Sequence, residues 1–193
     1  MRKIRGLVLG TVFCTAILFA GCGTKVSHKT PEAVVKSLIS AYQNQDEEAV
    51  KKCFGLDLDK KTDDAVQKEM NYNMKYFEAH EADKVKFEKA DTLGTADKKK
   101  LVYVWYNYEV EIKKEIQGVP ALSFYYVKEK DKKYYAVPAK DVTDEMSQAS
   151  RENYQEFVKT EDYKKYEKEY EAFIRKNPKY ENSLQNKFKE LSR

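Results

Sequence analysis

The stretch LVYVWYNYEVEI, residues 101–112, decides the fold. Its even-numbered side chains are all apolar or aromatic, whereas its odd-numbered side chains begin with Leu101, Tyr103 and Trp105 and become polar from Asn107 onward. Successive side chains of a β-strand point to opposite faces of a sheet, so this period of two predicts a half-buried antiparallel strand. We therefore expect the even-numbered face to cover a core.

Shorter alternating stretches on either side predict the rest of the sheet. The first strand is expected where Val85 and Phe87 alternate with Lys and Glu. Gly, Pro or runs of charge mark turns, which we predict at residues 93–97, 118–120 and 129–132. The strands that follow these turns are predicted at residues 101–112, 121–129 and 134–137.

A helical period replaces the alternation toward both ends of the chain. Thr30-Pro31-Glu32 predicts a helix start, because Thr caps free backbone N–H groups, Pro fits the first helical position and Glu favours the positive helix end. Asp46 is expected to cap a second helix. The predicted helices lie in residues 30–43, 46–54, 63–80, 143–177 and 180–191, with Pro178 ending the penultimate one.

The composition is typical of a packed domain with long regular elements. About 41% of the 193 residues are apolar, 24 are Tyr or Phe, and only 7 are Gly and 4 are Pro. We predict an α+β fold in which N-terminal helices pack on a curved antiparallel sheet over residues 30–139, followed by a helical C-terminal extension over residues 140–193. The aromatic stripes of this extension either cover the sheet or an open end of the domain, or are presented to another protein.

Two stretches resemble the nuclear transport factor 2-like superfamily, also described as cystatin-like or ketosteroid-isomerase-like. TPEAVVKSLISAYQNQDEEAVKKCF, residues 30–54, is similar to the two opening helices of small bacterial lipoproteins of that fold, and FYYVKEKDKKYYAVP, residues 124–138, is similar to their closing hairpin. The resemblance implies a cone, in which a bent sheet wraps around helices and often encloses a pocket. It does not imply one activity, since the scaffold hosts enzymes, binding proteins and assembly modules.

The N-terminal segment MRKIRGLVLGTVFCTAILFAGC has the organisation of an export signal. A basic start precedes an apolar run over residues 7–19, and the small residues Ala20 and Gly21 precede Cys22. This end resembles the bacterial lipobox, which implies that residues 1–21 are a signal peptide, that Cys22 is lipidated and that residues 22–29 are a tether. An uncleaved anchor or ordinary cleavage are the alternatives. Each of the three predicts an extracytoplasmic location, and lipidation predicts anchoring to the cell membrane.

Charge and cysteine content exclude several classes of protein. Once the three basic residues of the signal peptide are removed, 33 basic residues stand against 32 acidic ones, mixed along the chain. We expect no nucleic-acid partner, because such proteins usually carry a basic stripe. With Cys14 removed and Cys22 lipidated, only Cys53 remains, so the monomer has no internal disulfide. Cys53 is interpreted as a small buried apolar group rather than a reactive thiol.

The sequence contains no set of residues that specifies a reaction. We expect neither a metal site nor a cofactor, since His28 lies in the tether and His80, within Glu78-Ala79-His80-Glu81, is interpreted as part of a solvated helix end. Tyr106 and Tyr108 lie on the apolar face of the central strand. The residues expected to line a pocket are Tyr106, Tyr108, Phe124 and Tyr126.

These observations lead to one functional hypothesis and two alternatives. We expect a non-enzymatic, lipid-anchored binding module that contacts an envelope protein or a small apolar ligand. The first alternative is an isomerase- or dehydratase-like enzyme that acts on a small apolar substrate, with Tyr106 or Tyr108 as hydrogen-bond donor. The second is an assembly module, because sheets of the resembling fold often pair face to face.

Overall fold

The computed structural model describes residues 23–193, so Cys22 and the export segment lie outside the described residues. Within them, six α-helices and a four-stranded antiparallel sheet confirm the α+β class. The helices are α1 (Pro31–Gln43), α2 (Glu47–Phe54), α3 (Asp64–Ala79), α4 (Asp144–Phe157), α5 (Glu161–Lys176) and α6 (Tyr180–Leu191). The strands are β1 (Ala82–Ala96), β2 (Lys99–Ile112), β3 (Glu115–Lys130) and β4 (Lys133–Ala136). None of these helices is long and apolar enough to cross a membrane.

The helices begin at the capping residues that the sequence indicates. Thr30 Oγ1 accepts a hydrogen bond from the backbone N–H of Ala33 at 3.1 Å, and Asp46 Oδ1 accepts one from that of Ala49 at 3.0 Å. The same type of cap starts three further helices, at Asp63, Thr143 and Thr160. Each cap satisfies a donor that the first helical turn leaves free, so these helix starts are encoded locally.

The strands form a meander in the order β1-β2-β3-β4, joined by turns of two residues. The turns are Asp97-Lys98, Lys113-Lys114 and Asp131-Lys132, and all six residues have positive φ, between 47° and 68°. Two positive φ angles are the type I′ geometry that matches the twist of a hairpin.

The first predicted turn is therefore displaced and the second is wrong. Of residues 93–97 only Asp97 lies in the observed turn, since 93–96 belong to β1, and Gly118 and Pro120 belong to β3. A type I′ turn usually carries Asn or Gly, and the pair Lys113-Lys114 gives no such signal. Pro120 is tolerated in a strand because β4 pairs only with residues 127–130, which leaves this part of β3 at the sheet edge.

The sheet has helices on both faces. Its inner face carries the even-numbered residues of β2 and packs on α1, α2 and α3 around a core that includes Val102, Val104 and Tyr108. Its outer face carries the odd-numbered residues of β2 and is covered by α4, the first helix of the C-terminal extension: the ring of Tyr103 packs on Phe157 with 4.5 Å between ring centroids. The extension is thus part of the domain. On β1, Gly94 lies so close to Asn153 of α4 that a Cβ atom there would approach its Oδ1 to 2.4 Å.

The segment expected to be a tether is seated on the domain. The backbone N–H of Thr24 donates to Asp46 Oδ2 at 2.6 Å, and that of Ser27 donates to Ser37 Oγ at 3.0 Å. The backbone N–H of Tyr134 on β4 donates to the carbonyl oxygen of His28 at 3.1 Å. Residues 24–28 of the expected tether are therefore packed on the domain by backbone hydrogen bonds.

Cys53 lies in the inner core with no exposed surface. Burial raises the pKa of its thiol to about 12, so the thiol keeps its proton at neutral pH. A protonated and inaccessible thiol packs as a small apolar group, in line with the interpretation of the sequence.

Candidate functional site

A cavity of about 550 Å³ lies between the inner face of the sheet and helices α3, α5 and α6. On its sheet wall, the small side chains of Ala121 and Ser123 on β3 lie opposite Tyr106 and Val104 of β2, which leaves space that larger residues would fill. The rest of the wall is dominated by eight Tyr and two Phe. They come from α3 (Tyr72, Tyr76, Phe77), β2 (Tyr106, Tyr108), β3 (Tyr125), α5 (Tyr166, Tyr170) and α6 (Tyr180, Phe188).

Hydroxyl groups line the sheet wall of this cavity. The Tyr106 hydroxyl lies 3.0 Å from Ser123 Oγ and 3.3 Å from the Tyr108 hydroxyl, so the three form a hydrogen-bonded chain. Burial raises the pKa of Tyr106 to about 12 and that of Tyr108 well above its usual value. Both phenols therefore keep their protons at neutral pH and act as hydrogen-bond donors and acceptors rather than as charges.

His80 closes the inner end of the cavity. Its ring stacks on that of Tyr108, with centroids 3.7 Å apart and planes inclined by 12°, and its Nδ1 lies 2.8 Å from the Tyr180 hydroxyl of α6. Within the described residues, its Nε2 is buried without a hydrogen-bond partner. Burial lowers the pKa of His80 to about 3, so the imidazole is neutral at neutral pH.

The expectation of a solvated helix end at His80 is therefore wrong. His80 is only 7% exposed, because the end of α3 packs beneath α6 and against β2. The sequence gives no sign of this burial, since the covering residue Tyr180 lies a hundred positions further along the chain.

The mouth of the cavity lies between α3 and α6. Tyr72 and Tyr76, one turn apart on α3, are 58% and 38% exposed, and their rings meet Phe188 of α6 at centroid distances of 5.1 and 5.9 Å. Across α6, the Tyr170 hydroxyl donates to Glu181 Oε1 at 2.5 Å. The mouth is therefore an aromatic rim with one carboxylate beside it.

The structure separates the four predicted pocket residues into two pairs. Tyr106 and Tyr108 line the cavity, whereas Phe124 and Tyr126 lie on the outer face of the sheet. Phe124 packs on Phe157 with 5.8 Å between centroids, and the Tyr126 hydroxyl donates to the carbonyl oxygen of Met146 at 2.7 Å. The placement of all four in one pocket is thus corrected.

The register of β2 and β3 explains the separation. Tyr103 pairs with Phe124 and Leu101 pairs with Tyr126, and paired residues share a face. Within residues 123–126 of β3, Ser123 and Tyr125 line the cavity, and each lies one position away from a residue that was predicted to do so. A one-residue change of phase moves every side chain of a strand to the other face.

A second cavity, of about 660 Å³, lies where the end of β2 meets the junction of α5 and α6. Its floor includes Val110 and Ile112, and its walls carry four lysines, at positions 113, 176, 179 and 187. Lys187 is paired with Glu81, and Lys176 Nζ lies 3.5 Å from Glu115 Oε2. Glu81 and Glu111 also line this cavity, so its formal charge is +2, whereas the aromatic cavity carries the carboxylate of Glu181 and no lysine among its described lining residues.

The described residues that line the aromatic cavity include few ionisable side chains. Its two titratable residues other than tyrosine are His80, held neutral, and Glu181 at the mouth. In residues 23–193, no group of three or more His, Cys, Asp or Glu side chains is placed to hold a metal ion. The cavity offers aromatic surface, hydroxyl donors and acceptors, and one carboxylate.

No protein family, no curated protein and no solved structure matches this chain.

Proposed function

We propose that the protein is an envelope lipoprotein, anchored to the membrane through Cys22, whose domain binds a small and largely apolar ligand in the aromatic cavity. The observation that carries the ligand proposal is the cavity itself. Its volume of about 550 Å³ falls in the range of about 300–1,000 Å³ that is usual for small-molecule sites. Its apolar rings and few polar groups are also the usual composition of such sites.

We also propose that the domain belongs to the nuclear transport factor 2-like fold. Support comes from the order of elements, in which three helices precede an antiparallel meander, and from the position of the cavity between that sheet and α3. Three register irregularities in β1 favour a bent sheet. Face-to-face pairing of two such sheets finds no support, since α4 packs on the outer face at Tyr103.

An envelope-protein partner has less support than a small ligand. The aromatic stripes of the C-terminal extension contact the chain's own sheet and helices, as Phe157 does with Tyr103 and Phe188 does with Tyr76. Side chains used in this way are less available for a second protein. The sharper form of the binding hypothesis is therefore a ligand in the cavity.

An isomerase- or dehydratase-like enzyme is a second candidate, and one observation favours it. The hydroxyls of Tyr106 and Tyr108 lie 3.3 Å apart on the cavity wall, where two neutral phenols could stabilise negative charge on a substrate oxygen. Proton transfer also needs a base, and the low pKa of His80 makes it a weak one. Turnover that Tyr106→Phe abolishes without loss of ligand binding would favour the enzyme.

The ligand proposal is tested by thermal shift on residues 23–193 with a panel of small aromatic and apolar compounds. A ligand at a hundred times its Kd stabilises a protein by about 2.7 kcal/mol, which for this size raises Tm by roughly 5–10 °C. Ser123→Leu extends a larger side chain from the sheet wall into the cavity and removes the hydroxyl that hydrogen-bonds Tyr106, so it should reduce the shift, whereas Tyr103→Phe on the outer face should preserve it. A panel without shifts, or shifts that Ser123→Leu leaves unchanged, would contradict the proposal.

The anchor proposal needs a separate test in cells. Cys22→Ala should leave the precursor uncut and abolish labelling by fatty acid, because the thiol is the acceptor for the lipid. Cys53→Ala is the matched control and should leave labelling unchanged. Label that remains on the Cys22→Ala protein would contradict a lipid at Cys22.

A further inference from the structure

The aromatic cavity has an unusual charge composition for this chain. Of 193 residues, 36 are Lys or Arg, yet none of the 20 lining residues that the described part of the chain contributes to the cavity is either. The second cavity, of similar size, carries four lysines and two glutamates among its 15 lining residues. Burial alone does not explain the difference, because the mouth of the aromatic cavity is exposed at Tyr72 and Tyr76.

The groups that do line the aromatic cavity favour positive charge. The face of an aromatic ring carries partial negative charge and attracts a cation within about 6 Å of its centroid. Glu181 adds a carboxylate at the mouth and is fixed there by the Tyr170 hydroxyl at 2.5 Å. His80 contributes no opposing charge, since burial keeps its imidazole neutral. Among residues 23–193, the cavity would present aromatic rings and a carboxylate to an anionic ligand, and no cationic side chain.

We infer that the ligand of this cavity is an organic cation, a quaternary or substituted ammonium group carried on an apolar body. This inference rests on the proposed ligand-binding function and makes it specific. The cation is held against the rings of the mouth, near Tyr76 and Glu181, and the apolar body extends toward Tyr106 and Tyr108. Aromatic cages of this kind compensate a weakly hydrated cation for the water that it loses.

Two compounds of the same shape test the charge directly. They are (4-hydroxyphenyl)trimethylammonium and 4-tert-butylphenol, which differ by a nitrogen cation in place of a carbon atom. Titration calorimetry of residues 23–193 at pH 6.5 should give at least about tenfold tighter binding of the cation. Equal or tighter binding of the neutral compound would overturn the inference while the ligand-binding proposal stands. If neither compound binds, the inference and the proposed pocket both fail.

Variants at the mouth sharpen the result. Glu181→Gln should weaken binding of the cation about fivefold and leave 4-tert-butylphenol unchanged, because only the carboxylate is lost. Glu190→Gln, on the same helix but outside the cavity lining, is the matched control and should change neither. Tyr76→Leu should weaken only the cation, whereas Tyr76→Phe, which keeps a ring, should retain it. Equal affinities in Glu181→Gln, Tyr76→Leu and the unchanged protein would overturn the inference.

Discussion

On the outer face of the sheet, Phe157 packs between Tyr103 and Phe124, and the Tyr126 hydroxyl reaches the backbone of Met146. On the inner face, rings as large as these surround a cavity of about 550 Å³. Both faces are aromatic, so aromatic content does not decide whether a face is filled. The inner face encloses a cavity because small residues of β3 lie opposite its rings. The two faces also differ in the helices that cover them.

Replacing one Phe on each face by Ala tests this comparison, and the difference in stability is expected to be the largest of those predicted. Phe157 is 3% exposed and contacts three aromatic rings, so Phe157→Ala should lower the free energy of unfolding by about 3–5 kcal/mol. Phe188→Ala, at the cavity mouth, should cost less than about 1 kcal/mol, because α6 has no buried residue. Urea unfolding measures both, and equal losses would show that the inner face is as tightly packed as the outer one.

Enlarged side chains give a second comparison. Ala121→Leu adds three carbon atoms to the wall of the aromatic cavity, where space is present, and should change the free energy of unfolding by less than about 1 kcal/mol. Ala149→Leu makes the same change beside the outer cluster around Met146 and should cost about 1–3 kcal/mol. The measurement is again urea unfolding. A larger loss from Ala121→Leu would mean that the cavity is not open to a side chain.

The stability of the fold should also decrease at acidic pH because of His80, which lies on the inner face. Its pKa is about 3 in the folded state and near 6.5 when unfolded, so the unfolded chain binds more protons between these values. The titration of His80 therefore costs no stability above about pH 6.5, and below that pH the free energy of unfolding falls by up to about 1.4 kcal/mol per pH unit as the pH decreases toward 3. The tyrosines that face it, Tyr76, Tyr108 and Tyr180, have raised pKa values and stay neutral throughout.

His80→Phe is the variant that isolates this effect. It keeps a ring stacked on Tyr108 and removes the titrating group, so the slope of stability against pH between about 6 and 4 should become shallower by up to about 1.4 kcal/mol per pH unit. Tyr108→Phe, which keeps His80, is the control and should retain the steep slope. Identical slopes for the unchanged protein and His80→Phe would show that His80 titrates normally in the folded protein.

The sequence predicts where the helices and strands lie better than it predicts which face of the sheet each strand residue occupies. Helix starts follow from local capping chemistry at residues such as Thr30 and Asp46, and the alternation over residues 101–112 fixes both faces of β2. FYYV, residues 124–127, is apolar at every position, because both faces of β3 are covered, and so its period carries no information. The face on which each β3 residue lies depends instead on the position of the preceding turn. The residue types at Lys113-Lys114 do not indicate that a turn lies there.

The candidate site follows the same rule. The places of Tyr106 and Tyr108 in the cavity can be predicted from the sequence, because both lie on β2, where alternating side chains show which residues face the core. The sequence does not predict three other lining residues, because elements distant in the chain bring them to the cavity. These residues are His80, Tyr170 and Tyr180. The one available signal was the stripe of tyrosines at helical spacing in α5, which marks a face that must be buried or bound.

The turn that sets the phase of β3 provides the prediction with the smallest effect. Lys114 has φ of 68°, in the left-handed region that costs a residue with a Cβ atom roughly 1–2 kcal/mol. Lys114→Gly removes that cost and adds backbone entropy to the unfolded chain, so it should raise the free energy of unfolding by about 0.5–1 kcal/mol. Lys128→Gly, within β3, has no such cost to relieve and should destabilise. Because the turn keeps two residues, Ser123 and Tyr125 stay on the inner face and ligand binding is unchanged. A loss of stability in Lys114→Gly would show that contacts of the lysine side chain, rather than the backbone angle, determine the stability of the turn. The same side chain would then help to set which residues of β3 face the packed outer side and which face the cavity.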